Sequence, residues 1–206
     1  DGVRERYILN GTLAGVEDAD ALLLIGTNPR VEAAVWNARV RKAWLWADLK
    51  VGRIGEAADL TYDHAWLGDG ASALADVRSS DFGKVLTEAE RPMIVVGEGA
   101  LCGEDGAAVL AKAIELAQEV GAVKDGWAGF GVLHNAAGRV GALDVGFVPG
   151  EGGGTTADIL SGAMETVVLL GADEVDLSRL GSANVIYVGS HGDAAAARAD
   201  VILPSA

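Results

Sequence analysis

Two α/β lobes built on mostly parallel sheets are predicted by three features of this sequence. Apolar runs without polar alternation recur along the chain, each ends in glycine, and helical periodicity follows the clearest of them. An unalternated run suits a parallel strand buried on both faces, and strands alternating with helices at this spacing imply βαβ units. The lobes are expected at 1–80 and 92–206, with a helix-bearing linker at 81–91 and a glycine-rich excursion at 123–156.

The first strand is 22–25, in "ALLLIGTNPRVEAAV", and Gly26 ends it. Asn28 stands where its side-chain oxygen caps the next helix. Pro29 takes the first helical position, where a missing N–H is no loss. Val31, Ala34 with Val35, Ala38 and Leu45 then recur at helical spacing and are expected to form the inner face. Residues 51–54 make a short second strand, and "RSSDFGKVLTEAERP" holds the linker helix. "PMIVVGEGA" is another apolar strand ending in glycine. Its helix should turn Ala107, Leu110 with Ala111, Ile114 and Ala117 with Gln118 inward until Gly121 stops it. "ETVVLLGADEVDL" is a further strand and turn. "ANVIYVGSHGDAAAARADVILP" supplies the next strand, a short alanine-rich helix capped by Asp193, and a last strand at 201–203.

The segment 123–156 carries ten glycines and no sustained period, so an irregular excursion is expected there; such loops are usually functional or mobile. Within it "GEGGGTT" resembles a phosphate cradle, yet the lysine that reaches the phosphates in a P-loop is replaced by Thr155 and Thr156. A helix cap is the better reading of those threonines. "GEGALCG" offers Gly97 and Gly99 for a dinucleotide turn, but the third glycine position is Cys102.

The candidate binding residues are Gly26, Thr27, Asn28 and Pro29. Ligands bind at the carboxyl ends of strands in open α/β sheets, and N–H groups at a helix start favour anions. The alternative is a turn whose glycine and cap satisfy geometry alone. No catalytic or metal set emerges. His64, His134 and His191 are scattered, Asp63 beside His64 reads as a solvated turn, and Ser190, His191 and Asp193 are too close in sequence for a triad assembled from separate segments. Cys102 lies among Glu98, Glu104 and Asp105, which disfavour a thiolate.

Composition narrows the classes further. With 206 residues, half of them hydrophobic, a full core is attainable. A net charge of −14 argues against nucleic acid, which needs a lysine and arginine surface. No apolar run approaches the roughly 18 residues of a membrane span, and no signal peptide is evident. The single cysteine excludes an internal disulfide or a cluster held by cysteines of this chain. Starting at Asp1 and ending just past a proline, the sequence reads as part of something longer. Arg39, Arg41 and Lys42 give the first helix a basic half suited to its dipole or to an acidic partner. Trp36, Trp44 and Trp46 cannot all face one core, so at least one is expected on a contact surface.

Taken together, "DADALLLIGTNPRVEAAVWNARVRKAWL", "KVGRIGEAADLTYDHAWLG" and "ARADVILPSA" resemble the large iron–sulfur subunit of respiratory NADH–quinone oxidoreductase, complex I. "IGTNPR" and "RADVILP" are similar more broadly to molybdopterin oxidoreductases. That resemblance implies two Rossmann-like lobes, with Gly26, Thr27, Asn28 and Pro29 matching a loop that contacts the dinucleotide cofactor in active enzymes. Gly171, Ala172 and Asp173 would be a second such loop, but its Gly-x-Asn asparagine is absent, and "SHGDAAAAR" replaces a Thr-rich stretch near the cofactor. It therefore implies a noncatalytic structural and assembly domain whose loop is vestigial and holds no cofactor. Iron–sulfur clusters would belong to a preceding part of the subunit. The implied partners are that cluster-bearing part and other complex I subunits. The implied location is the peripheral arm, on the cytoplasmic side of a bacterial inner membrane or the mitochondrial matrix side, without membrane insertion. The alternatives are a cofactor-binding portion of an active molybdopterin oxidoreductase and a free-standing nucleotide-binding α/β protein.

Overall fold

The structure, a computed structural model, describes residues 3–205 and divides into two units, Asp1–Gly146 and Phe147–Ala206. In the first unit, β1 (Ala21–Ile25) leads through a single helical turn, α1 (Pro29–Glu32), into α2 (Ala34–Trp46), and β2 (Lys50–Ile54) and β3 (Ala65–Trp66) follow. Then come α3 (Gly70–Asp76), α4 (Asp81–Glu88), β4 (Pro92–Gly97), α5 (Gly106–Glu119), a small hairpin of β5 (Val123–Lys124) and β6 (Trp127–Ala128), β7 (Phe130–Leu133) and α6 (Arg139–Asp144). The main sheet is parallel and runs β3-β2-β1-β4-β7. The first strand is thus central, and the order reverses between β1 and β4.

Both faces of that sheet are covered. Leu22 and Leu24 meet Trp36, Val40 and Ala43 of α2, whereas Ala21, Leu23 and Ile25 meet Leu74, Phe82 and Leu86 from α3 and α4 and Ala113 from α5. Full burial of a leucine of this kind contributes about 1.5–3 kcal/mol. Gly52 of β2 is required by packing, because a Cβ there would lie 2.5 Å from the Phe82 ring.

The second unit contains α7 (Thr156–Ile159), β8 (Thr166–Leu170), β9 (Asn184–Gly189), α8 (Ala194–Arg198) and β10 (Val201–Pro204), with β10-β9-β8 as a parallel sheet. Val167, Leu169, Val185 and Tyr187 pack on Leu180 and Ala195 to form its core. Thr155 caps α7 in a reciprocal box with Asp158, as the two threonines led one to expect.

The parallel α/β class agrees with the sequence, but several local expectations are corrected. Residues 92–146 do not join 147–206 in a second lobe, since β4 and β7 complete the sheet begun by β1. Residues 81–91 are no linker: α4 is part of the β3-to-β4 crossover, and its Phe82 and Leu86 are in the core. The excursion at 123–156 is irregular only in part, because β7 is a buried strand and α6 is a helix. Asp144 of α6 accepts bonds from Arg4 Nε (2.9 Å) and the Tyr7 hydroxyl (2.9 Å), which hold its carboxyl below the usual range.

Helix faces also differ. Ala33, at φ −145° and ψ 56°, separates α1 from α2 and rephases the helix. Val31, Val35 and Leu45 are consequently exposed, and Trp36, Val40 and Ala43 turn inward. In α5 the buried face is shifted: Ala107 is exposed, and Val109, Ala113, Leu116 and Ala117 point in.

Candidate functional site

A cleft of about 470 Å³ lies in the first unit beyond the carboxyl ends of β1, β2 and β4. This is where an open α/β sheet reverses its strand order and where ligands bind in such sheets. Gly26 leaves β1 with φ +57°, and its N–H donates to Ile54 O at 2.8 Å. A Cβ on Gly26 would lie 2.4 Å from that of Ala100, and one on Gly97 would lie 2.5 Å from Thr27 Cβ. The two glycines therefore let the turns after β1 and β4 touch. In Gly97 that close approach, rather than a pyrophosphate, accounts for the glycine.

Asn28 is at the helix start as expected, but its side chain makes no capping bond there. Glu32, one turn along, serves a different pair of donors. Its carboxylate accepts from Asn28 N–H at 3.1 Å and from the Thr27 hydroxyl at 2.5 Å. Asn28 Oδ1 itself is buried without a partner. Pro29 holds the first helical position and is buried.

Arg53, only 3% exposed, crosses from β2 to the same turn. Its Nε donates to Thr27 O at 3.2 Å, and its Nη1 donates to Glu56 O. Burial lowers its pKa, against the opposing fields of Glu32 and Glu56. Other walls of the cleft carry Asp69 and Asp105. Of the residues singled out in the sequence, Gly26, Thr27 and Asn28 line the cleft and Pro29 lies in the same turn; Glu32 and Arg53, which also line it, were not singled out. Arg53 had a signal: an arginine within the apolar strand "VGRIG" must find acceptors if the strand is buried.

The remaining candidates are not brought together. His64 Nδ1 lies 3.2 Å from Tyr62 O and His134 Nε2 lies 2.6 Å from Tyr7 O. Ser190 Oγ and His191 Nδ1 are 2.9 Å apart on an exposed turn. Cys102 is exposed, and no group of three or more metal-ligating side chains occurs among the described residues. The basic residues of α2 are engaged within the chain: Arg39 and Lys42 both bind Glu17 at 2.5 Å, and Arg41 donates to Thr61 O. Trp36 is buried and Trp44 lies 6.2 Å from the Tyr62 ring, but Trp46 is 82% exposed.

A family model described as molybdopterin oxidoreductase matches residues 1–206. The chain belongs to the molybdopterin oxidoreductase family. It is 42% identical, over 99% of its length, to the NADH-ubiquinone oxidoreductase 78 kDa subunit of Neurospora crassa mitochondria. The corresponding subunit of Candida albicans is 41% identical over 98% of the chain. So is the NADH dehydrogenase [ubiquinone] iron-sulfur protein 1 of Solanum tuberosum mitochondria. In each case the chain spans 27% of the relative's length.

The family name implies a pterin cofactor, commonly as a dinucleotide, and the residues present do not suit its phosphates. A phosphate at a helix start needs free N–H donors and a favourable potential. Here Glu32 already takes the Asn28 N–H and the Thr27 hydroxyl, Ile54 O takes the Gly26 N–H, and the cleft walls add carboxylates.

Proposed function

We propose that this chain is a noncatalytic structural and assembly domain of the large iron–sulfur subunit of respiratory NADH–ubiquinone oxidoreductase. The Glu32 carboxylate carries the noncatalytic part of that reading. It is an internal anion seated on the donors that a nucleotide phosphate would need. The identity to the three mitochondrial subunits over nearly the whole chain supports the assignment to such a subunit. Gly26, Thr27, Asn28 and Pro29 then persist because the fold needs a strand-to-helix turn there.

The partners in this reading are the cluster-bearing part of the same subunit and the neighbouring subunits of the complex. Iron–sulfur clusters belong to that other part, since one exposed cysteine cannot hold one. The location is the peripheral arm, on the matrix side in mitochondria or the cytoplasmic side in bacteria. No helix among the described residues is long and apolar enough to cross a membrane. A nucleic-acid partner is disfavoured by the charge of −14.

The test is assembly against turnover in the respiratory complex. Replacing the exposed indole in Trp46→Ser should lower the amount of assembled enzyme while leaving NADH–quinone turnover per assembled complex unchanged. Normal assembly with a large loss of turnover would put the domain in the chemistry and overturn the reading. Elemental analysis of the purified chain should find neither molybdenum nor iron, and its absorbance no flavin; near-stoichiometric molybdenum would also overturn it.

A further inference from the structure

The second unit repeats the inner half of the first. β8, β9 and β10 stand in the same order and sense as β1, β2 and β3. The first strand of each ends in a glycine at nearly the same dihedral, Gly26 at φ +57° and Gly171 at φ +60°. Each glycine N–H donates at 2.8 Å to the neighbouring strand, to Ile54 O and Val188 O respectively. Counting back from the glycines, Ile25 matches Leu170 and Leu23 matches Val168.

The surroundings then diverge. β1 is flanked on its second edge by β4, whose following turn brings Ala100 against Gly26. Nothing among the described residues pairs with the second edge of β8, and a Cβ on Gly171 would meet nothing within 4 Å. All five residues of β1 are buried, but Val168 and Leu170 are 60% and 77% exposed. The register continues their rows across the sheet, Val168 to Ile186 to Val201 and Leu170 to Val188 to Leu203. One face of a parallel sheet is therefore an aliphatic surface left open at β8 and β10, with Ile186 and Val188 half-buried between them, although parallel sheets are covered on both faces.

Handedness says what belongs there. Right-handed crossovers that step outward from the first strand all lie on one face, and the connection that returns to its other edge lies on the opposite face. In the first unit, Trp36 and Val40 of the outward connections cover one face, and Leu74, Phe82 and Leu86 of the return connection cover the row of Leu23 and Ile25. In the second unit the outward connections supply Leu180 and Ala195, and the row of Val168 and Leu170 is the one a return connection would cover.

We infer that this open face and the free edge of β8 receive a helix and a parallel strand from the same polypeptide, from the part of the full-length subunit outside these 206 residues. The helix would lie over Val168 and Leu170 through an aliphatic stripe, and the strand would take the place that β4 takes beside β1. This rests on the reading of the chain as part of a longer subunit, whose relatives extend well beyond the 27% matched here. Its test is separable from that reading.

The experiment places a photo-crosslinking benzoylphenylalanine at Leu170 in the full-length subunit, within the purified complex, and maps the adduct by mass spectrometry. Adducts to the same polypeptide outside the 206 residues are expected. Adducts to residues 1–146, to a second copy or to a different subunit, or none at all, would overturn the inference; those to a different subunit would leave the proposed function standing. Where the bulky residue blocks assembly, amide exchange of the unmodified full-length subunit decides. Every amide of Thr166–Leu170 should exchange at least a hundredfold more slowly than a free strand edge, and rapid exchange at alternate residues would overturn the inference.

Discussion

β1 and β8 are short apolar strands, "ALLLI" and "TVVLL", and each runs into a glycine of positive φ whose N–H binds the neighbouring strand. Their burial is nevertheless opposite in kind, complete along β1 and alternating along β8. The difference lies in the neighbours. β1 has strands on both edges and helices on both faces, whereas β8 has β9 on one edge and cover on one face. Similar local chemistry thus yields a finished core in one place and an open surface in the other.

The largest expected effect contrasts two side chains of equal size. Ile25→Ala should destabilise the chain by about 2–5 kcal/mol, the range for a cavity in a packed core. Leu170→Ala should stay within about 0.5 kcal/mol in the isolated 206-residue chain, as at other exposed sites, and become costly in the full-length subunit. Denaturant midpoints of both variants of the isolated chain and of Leu170→Ala in the full-length subunit, each against its unsubstituted parent, measure this. Equal losses for the two substitutions in the isolated chain would break the comparison.

The two glycines sharpen it. Gly26→Ala combines an unfavourable dihedral with a collision against Ala100 and should cost about 3 kcal/mol, combining the usual penalties for positive φ and overpacking. Gly171→Ala meets only the dihedral penalty, about 1 kcal/mol. Chemical denaturation should rank them in that order, and a reversal would mean that the space beside Gly171 is filled.

A smaller effect is expected at Glu32. Glu32→Ala strips the acceptor from Asn28 N–H and the Thr27 hydroxyl and should cost about 1.5–3 kcal/mol, the loss for a hydrogen bond to a charged group. With Glu32 in place the unsubstituted chain should not bind nucleotides; calorimetry with guanine nucleotides checks this, and micromolar binding would reopen the cofactor reading. The smallest effect concerns the lead into β8. The Thr155 hydroxyl and then its backbone N–H hold the Asp158 carboxyl below its ordinary value of 3.8. A carboxyl lowered on folding stabilises above its unfolded pKa, and the contribution is lost as pH falls through the folded one. The protection factor of the Asp158 amide, its exchange relative to the intrinsic rate at each pH, should therefore fall only on acidification below that ordinary value, with little change above it.

Local chemistry made the strands, their parallel pairing, the glycine after each first strand and the Thr155 cap readable in advance. It could not phase α2, because the break at Ala33 interrupts the period on which the expected face of Val31, Val35 and Leu45 relied. It could not recognise β7 either, as "FGVL" is short and its glycines raise the cost of order in isolation. At the site, Gly26 and Pro29 follow from backbone geometry that a residue carries with it. Asn28 stands at the expected cap position, but only the tertiary structure shows that its side chain makes no capping bond and that Glu32 accepts from its backbone N–H.

By itself the sequence determined the parallel α/β class, the strand-to-helix turn at 26–29 and the single cysteine. These depend on period, dihedral preference and residue type, which are local. Tertiary structure alone decided that residues 92–146 complete the first sheet, that Arg53 and Glu32 occupy the turn, and that one face of the second sheet is left open. An apolar strand specifies that it must be buried but not which strand or helix buries it, since hydrophobic burial has no direction and its partners come from distant positions in the chain.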